Sequence, residues 1–200
     1  MKKVFALLGV SVIAFLAWMA AGSNQTVASR AIGAPPLPPS LIARPATTQP
    51  SPPGADSPDA LIVPVSGVDR SALRDMFDEV RGNRRHEAID IMAPRGTPVI
   101  AADDGTVKKL FTSVPGGITV YEFDLNERYC YYYAHLDRYA DGLHEGQPLH
   151  RGEVLGYVGS TGNAAENAPH LHFAVIRLDA DKRWWKGTYI NPYPLLAERP

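Results

Sequence analysis

Five residues of this 200-residue chain combine the side-chain types of a hydrolytic metal centre: His86 and Asp90 in a His-x3-Asp spacing, His135 in a tyrosine-rich run, and His170 with His172 in a His-x-His pair. Two imidazoles and one carboxylate are enough to hold zinc. Three protein ligands leave a fourth position for water, whose pKa the metal lowers to about 7. The single cysteine, Cys130, excludes both a thiolate zinc site and a disulfide framework. The same ligand set also holds Fe(II) in oxygenases. Two further histidines favour hydrolysis, because imidazoles shuttle protons, whereas an oxygenase outside the cytoplasm would need a reductant.

Strand alternation is what must position these groups. A period of two places His86, Ala88 and Asp90 on one face and Glu87, Ile89 and Ile91 on the other. Ala88 leaves nothing bulky between imidazole and carboxylate. The same rule puts His170, His172 and Ala174 together, with Leu171, Phe173 and Val175 turned to the core. It groups His135 with Tyr131 and Tyr133.

Around these motifs the pattern is one of short strands and frequent turns. Strands are predicted over Thr97–Ala101, Gly105–Phe111, Ile118–Asp124, Arg128–Leu136, Gly152–Val158 and His170–Ile176. One helix is predicted before them, capped by Asp69 or Ser71, with Leu73, Met76, Phe77 and Val80 as its apolar positions and Gly82 as its end. The fold class is therefore all-β, a sandwich or barrel-like sheet with one N-terminal helix.

The folded part is expected over residues 65–200, where 16 basic and 19 acidic residues leave a charge of -3; the whole chain, with 20 against 21, is at -1. This balance excludes a nucleic-acid partner held by bulk positive charge. Residues 1–23 read as a signal peptide or membrane anchor. Lys2 and Lys3 precede an uncharged run of 18 residues, Val4 to Ala21, of membrane-spanning length. The lysines keep the N-terminus in the cytoplasm, so the chain beyond the apolar run lies outside it. Residues 24–64 read as a disordered linker: ten of the 18 prolines fall between Pro35 and Pro64. As an extended spacer it would reach up to roughly 120 Å.

His86-x3-Asp90, Tyr133-Ala134-His135-Leu136 and Pro169-His170-Leu171-His172-Phe173 resemble the M23 (LytM-type) zinc metallopeptidases. Ala93–Val99 and Gly156–Asn163 fit the same family. The resemblance covers about residues 65–194. It implies a two-layer, mainly antiparallel sheet with a cleft across one face, and cleavage of peptide cross-bridges in bacterial peptidoglycan. It implies one Zn2+ per domain, held by His86, Asp90 and His172, with His135 and His170 as the catalytic, non-ligand histidines. The family often carries Gly where this chain has Ala88. The implied setting is the cell envelope, on the periplasmic side. The substrate would be peptidoglycan stem peptides, the inner membrane a partner if residues 1–23 stay uncleaved, and a regulatory protein a further possible partner. The competing reading is a non-catalytic LytM-like module that activates another wall hydrolase; such modules typically lack metal ligands.

Four other features carry weaker signals. His144 and His150 fall in a polar loop. Cys130 reads as a buried, inert thiol. Trp184-Trp185 reads as packing against the sheet edge, with a substrate groove as the alternative. Ser160 and Thr161 either border the cleft or simply close a turn.

Overall fold

The computed structural model describes residue 58 and residues 60–197. The expected signal or anchor segment and nearly all of the expected linker lie outside the described residues. Among those described, no helix is long and apolar enough to cross a membrane. Leu61 is fully buried, and its N–H bonds the Leu195 carbonyl at 3.1 Å.

In chain order the strands are β1 (Val80–Arg81), β2 (Arg84–Arg85), β3 (Ile89–Met92), β4 (Pro98–Ile100), β5 (Gly105–Ser113), β6 (Gly117–Asp124), β7 (Tyr129–Tyr139), β8 (Pro148–Leu149), β9 (Val154–Val158), β10 (His170–Leu178) and β11 (Gly187–Ile190), followed by a short helix α1 (Tyr193–Ala197). β1 and β2 form a two-stranded ribbon of their own. The other nine strands make one antiparallel sheet with the order β11-β10-β7-β6-β5-β8, in which β3 pairs with β10, and β9 with both β4 and β7. Each strand predicted from the sequence is present, within two or three residues at its ends. The ribbon, β8, β11 and α1 are additions.

The predicted helix over Asp69–Gly82 is not formed. Only a 3-10 turn, Arg70–Ala72, stands there, capped by the Asp69 side chain, which accepts from the Ser71 N–H at 2.8 Å. Asp75 accepts likewise from Phe77 N–H at 3.1 Å. These local side-chain bonds offer the backbone an alternative to the helical ladder. The apolar positions do not share a buried face either: Leu73 is buried, whereas Val80 is 76% exposed and lies in the ribbon.

β10 supplies the clearest link from pattern to packing. Leu171, Phe173 and Val175 are fully buried in the main core with Ile89 and Ile91 of β3 and Tyr131 and Tyr133 of β7. Each such side chain contributes roughly 1.5–3 kcal/mol on leaving water. Cys130 is fully buried, as expected, and burial pushes its thiol up.

One carboxyl lies inside this framework. Glu122 of β6 is fully buried; it accepts from the Tyr133 hydroxyl at 2.5 Å, and its Oε1 has no hydrogen-bond partner among the described residues. Burial pushes it from an ordinary value of 4.5 up to about 8. Between those limits the folded state binds a proton that the unfolded chain has released, so stability falls as pH rises from about 4.5 to about 8. Glu122→Gln is expected to flatten that decline, read as the denaturant midpoint against pH; parallel wild-type and variant curves would contradict it.

Candidate metal centre

His86, Asp90 and His172 converge. His86 Nε2 lies 2.9 Å from Asp90 Oδ1 and 3.0 Å from His172 Nδ1, and His172 Nδ1 lies 3.1 Å from the same Asp90 oxygen. The His86 Nδ1–H points to the Met76 carbonyl at 3.2 Å, which leaves Nε2 as a lone pair. Three electron-pair donors therefore face one another across a triangle about 3 Å on a side. One shared proton cannot satisfy all its edges, and a cation at its centre would. Donors bonded to one tetrahedral ion at about 2.0–2.1 Å sit at nearly this separation from one another, so the residues fit a zinc-like metal.

The sheet register produces this convergence. His172 of β10 stands opposite Asp90 of β3 on one side and opposite Ala134 of β7 on the other. Ile89 and Ile91 hold Asp90 outward by alternation. His86 arrives differently from the expected straight strand. β3 begins only at Ile89, and Glu87 adopts φ 55°, a left-handed kink that brings His86 back over Asp90. His86, Ala88 and Asp90 thus share a neighbourhood without sharing a continuous strand face.

His135 corrects the alternation argument more sharply. Tyr131 and Tyr133 are fully buried in the core, whereas His135 lines the cleft with Tyr132 and Ala134. His135 has φ 61°, and the β6–β7 register shifts between Ile118 and Val120. This bulge turns two successive residues, Ala134 and His135, to the same side and returns Leu136 to the core. The His135 ring centroid then lies 5.0 Å from that of His170 and 5.6 Å from that of His172.

Backbone carbonyls aim both remaining histidines. His135 Nδ1 lies 2.8 Å from the Thr161 carbonyl, and His170 Nδ1 lies 2.8 Å from that of Ala168. In each ring Nδ1–H is the donor, which leaves Nε2 as an acceptor. His170 Nε2 is 3.9 Å from Asp90 Oδ1. Burial, reinforced by the neighbouring His172 and His170, pushes His135 down to about 4, so it is neutral at physiological pH. Burial also lowers His172. For Asp90 burial acts upward, but bonds to His172, His86 and Arg81 outweigh it and hold the carboxylate ionised.

Several contributors were not singled out in the sequence. Arg81 Nη2 lies 2.8 Å from Asp90 Oδ2, fixing the carboxylate from behind. The carbonyls of Met76, Thr161 and Ala168 have no sequence signal, since every residue carries one. Thr161 closes the turn: its Oγ1 accepts from Ile118 N–H at 2.9 Å and donates to the Leu136 carbonyl at 2.8 Å. That turn leaves no room for side chains. A Cβ on Gly117, at φ +64°, would stand 2.1 Å from Thr161 Oγ1, and one on Gly162 would stand 2.3 Å from Gly117 N. Trp184 and Trp185 divide between their two readings. Trp184 packs on Tyr121 and Phe111, whereas Trp185 is 58% exposed and lines the cleft. His144 and His150 are exposed and stand apart from the site.

A His-Asp-His cluster of metal-ligand type thus lies beside two further imidazoles, and the comparisons with known proteins give the family. The family model for Peptidase family M23 matches residues 84–192, more than half of the chain, and the protein belongs to that family. An L-Ala--D-Glu endopeptidase of Bacillus subtilis is 35% identical over 120 residues, which is 58% of this chain and 35% of that protein. The peptidoglycan DD-endopeptidase ShyC of Vibrio cholerae is 36% identical over 93 residues, 46% of this chain and 20% of its own. Among solved structures, a putative glycyl-glycine endopeptidase lytM from Ruminococcus gnavus superposes with a TM-score of 0.55 at 28% identity, covering 69% of this chain and 58% of that one. Csd3 of Helicobacter pylori gives 0.54 at 27%, covering 70% and 34%. The chain spans about a third or less of the length of these two curated relatives.

Proposed function

We infer that the protein is a zinc-dependent endopeptidase that hydrolyses peptide cross-bridges of bacterial peptidoglycan. The observation that carries this reading is the triangle of His86 Nε2, Asp90 Oδ1 and His172 Nδ1, about 3 Å on each side, with two imidazoles beside it whose Nε2 atoms are free to take protons. Relatives named as peptidoglycan endopeptidases support the substrate class.

In this reading His86, Asp90 and His172 hold the metal. Zinc bound there supplies Lewis acidity toward the scissile carbonyl and brings the ionisation of water to near pH 7. One of His135 and His170 takes a proton at Nε2 from the attacking water. The other, once protonated, donates from Nε2 to the carbonyl oxygen as it gains charge. Arg81 keeps Asp90 ionised and in place. A non-catalytic module would be expected to lack part of the ligand set, and here the set is complete. Export follows from the composition of residues 1–64: residues 1–23 direct the chain to the envelope or anchor it in the inner membrane, and residues 24–64 give it reach into the wall.

The test is digestion of purified peptidoglycan by the full chain, with fragments read by mass spectrometry. Cross-linked fragments should give way to monomers, a chelator should stop this, and added zinc should restore it. Digestion indifferent to chelator would refute the metal-dependent mechanism, and intact cross-links under every condition would refute the activity.

A further inference from the structure

Three arginines line one wall of the cleft. The β1–β2 ribbon contributes Arg81, Arg84 and Arg85, and all three line the same pocket as His135 and His172. The carboxyl-bearing Glu87 lines the pocket with them. Two of the arginines are engaged. Arg81 holds Asp90 at 2.8 Å and Glu79 at 3.3 Å, and Arg85 holds Asp78 at 2.6 Å. The Arg84 side chain makes no ion pair or hydrogen bond with any described residue, though its charge acts on the Tyr189 hydroxyl lining the same pocket.

The register adds a second observation. Arg81 and Arg84 are direct cross-strand partners, flanking Gly82 at φ 65° and Asn83. Like charges placed directly opposite each other destabilise a strand pair; Asp90 and Glu79 offset the charge of Arg81, whereas Arg84 has no carboxylate of its own among the described residues. The backbone of Arg84 thus stands directly across the ribbon from Arg81, which pairs with Asp90.

We propose that Arg84 binds a carboxylate of the peptide substrate, so that the site selects anionic peptides over uncharged oligoglycine. This rests on the endopeptidase reading and names its substrate class. A guanidinium offers a carboxylate two parallel N–H donors, a pairing that neither an amide nor a glycine backbone reproduces. The carboxylate can belong to a side chain or to a chain end, and the chemistry is the same.

The experiment uses the full zinc-loaded chain and four probes: a cross-linked stem-peptide dimer with its carboxylates free, the same dimer amidated at side chains only, the same dimer amidated at chain ends only, and pentaglycine. Arg84→Gln is expected to lose about tenfold in kcat/KM on the free dimer, with unchanged zinc content and no change on whichever amidated dimer lacks the recognised carboxylate. Arg84→Lys should recover part of the loss. Calorimetric binding of the same probes to metal-stripped protein should show the same preference, weakened by salt. Equal effects of Arg84→Gln on all the dimers, or none on the free one, would overturn the proposal. If no probe is hydrolysed yet the metal-stripped protein still distinguishes free from amidated dimers through Arg84, the carboxylate site stands and the endopeptidase reading falls.

Discussion

Asp90→Ala is expected to remove the metal and the activity together. Purified wild-type protein should carry about one zinc per chain and the variant close to none, with turnover lower by at least about 10³-fold, since the Lewis acid contributes several kcal/mol to the chemical step. The reason is geometric: Asp90 Oδ1 is the corner shared by two edges of the ligand triangle, 2.9 Å from His86 and 3.1 Å from His172. Without it two neutral imidazoles face a dication, and Arg81 loses the carboxylate it held at 2.8 Å, leaving a cation beside the site. His172→Ala should behave the same way. A readout apart from turnover is thermal: zinc should raise the melting temperature of the wild type, because a ligand that binds only the folded state stabilises it, and should leave both variants unmoved. Full zinc occupancy in Asp90→Ala would refute the ligand assignment.

The second large effect separates chemistry from metal binding. Removing the imidazole of His135 or His170 should lower kcat by about 10²–10⁴-fold, the usual worth of a positioned proton carrier, while zinc content stays at the wild-type level. The choice of substitution matters at His135. Its φ of 61° is a conformation that alanine tolerates poorly and asparagine accepts. His135→Asn therefore tests the ring without unsettling the bulge, and His170→Ala serves for the other. Loss of zinc in His135→Asn would make His135 a ligand, and retained turnover in both variants would remove the histidines from the mechanism.

How much of this was legible in the sequence depended on whether each segment ran straight. Along β10 the chain is regularly extended, and alternation placed His170 and His172 on one face and Leu171 and Phe173 in the core. It failed at His135, because a bulge inserts one residue and exchanges the faces; the buried residues are Tyr131 and Tyr133, and the cleft neighbour is Tyr132. It succeeded at His86 for the wrong reason, since the left-handed turn at Glu87, and not an unbroken strand, carries His86 over Asp90. The helix expected around Leu73–Val80 had the right apolar spacing, but Asp69 and Asp75 bond the backbone two residues ahead and spend the region in turns. Arg81 was hidden because its role depends on a ribbon whose two-residue strands are too short to show a period.

The register at His172 has a mechanical corollary. Asp90, His172 and the Ala134–His135 pair occupy three neighbouring strands cross-linked by one hydrogen-bond lattice. The floor of the cleft is thus a single stiff plate, and its reactive atoms shift in concert or not at all. The β1–β2 ribbon pairs only within itself and meets that plate through the Arg81–Asp90 ion pair. Substitutions at residues 82–85 therefore leave the hydrogen-bond lattice of the plate intact.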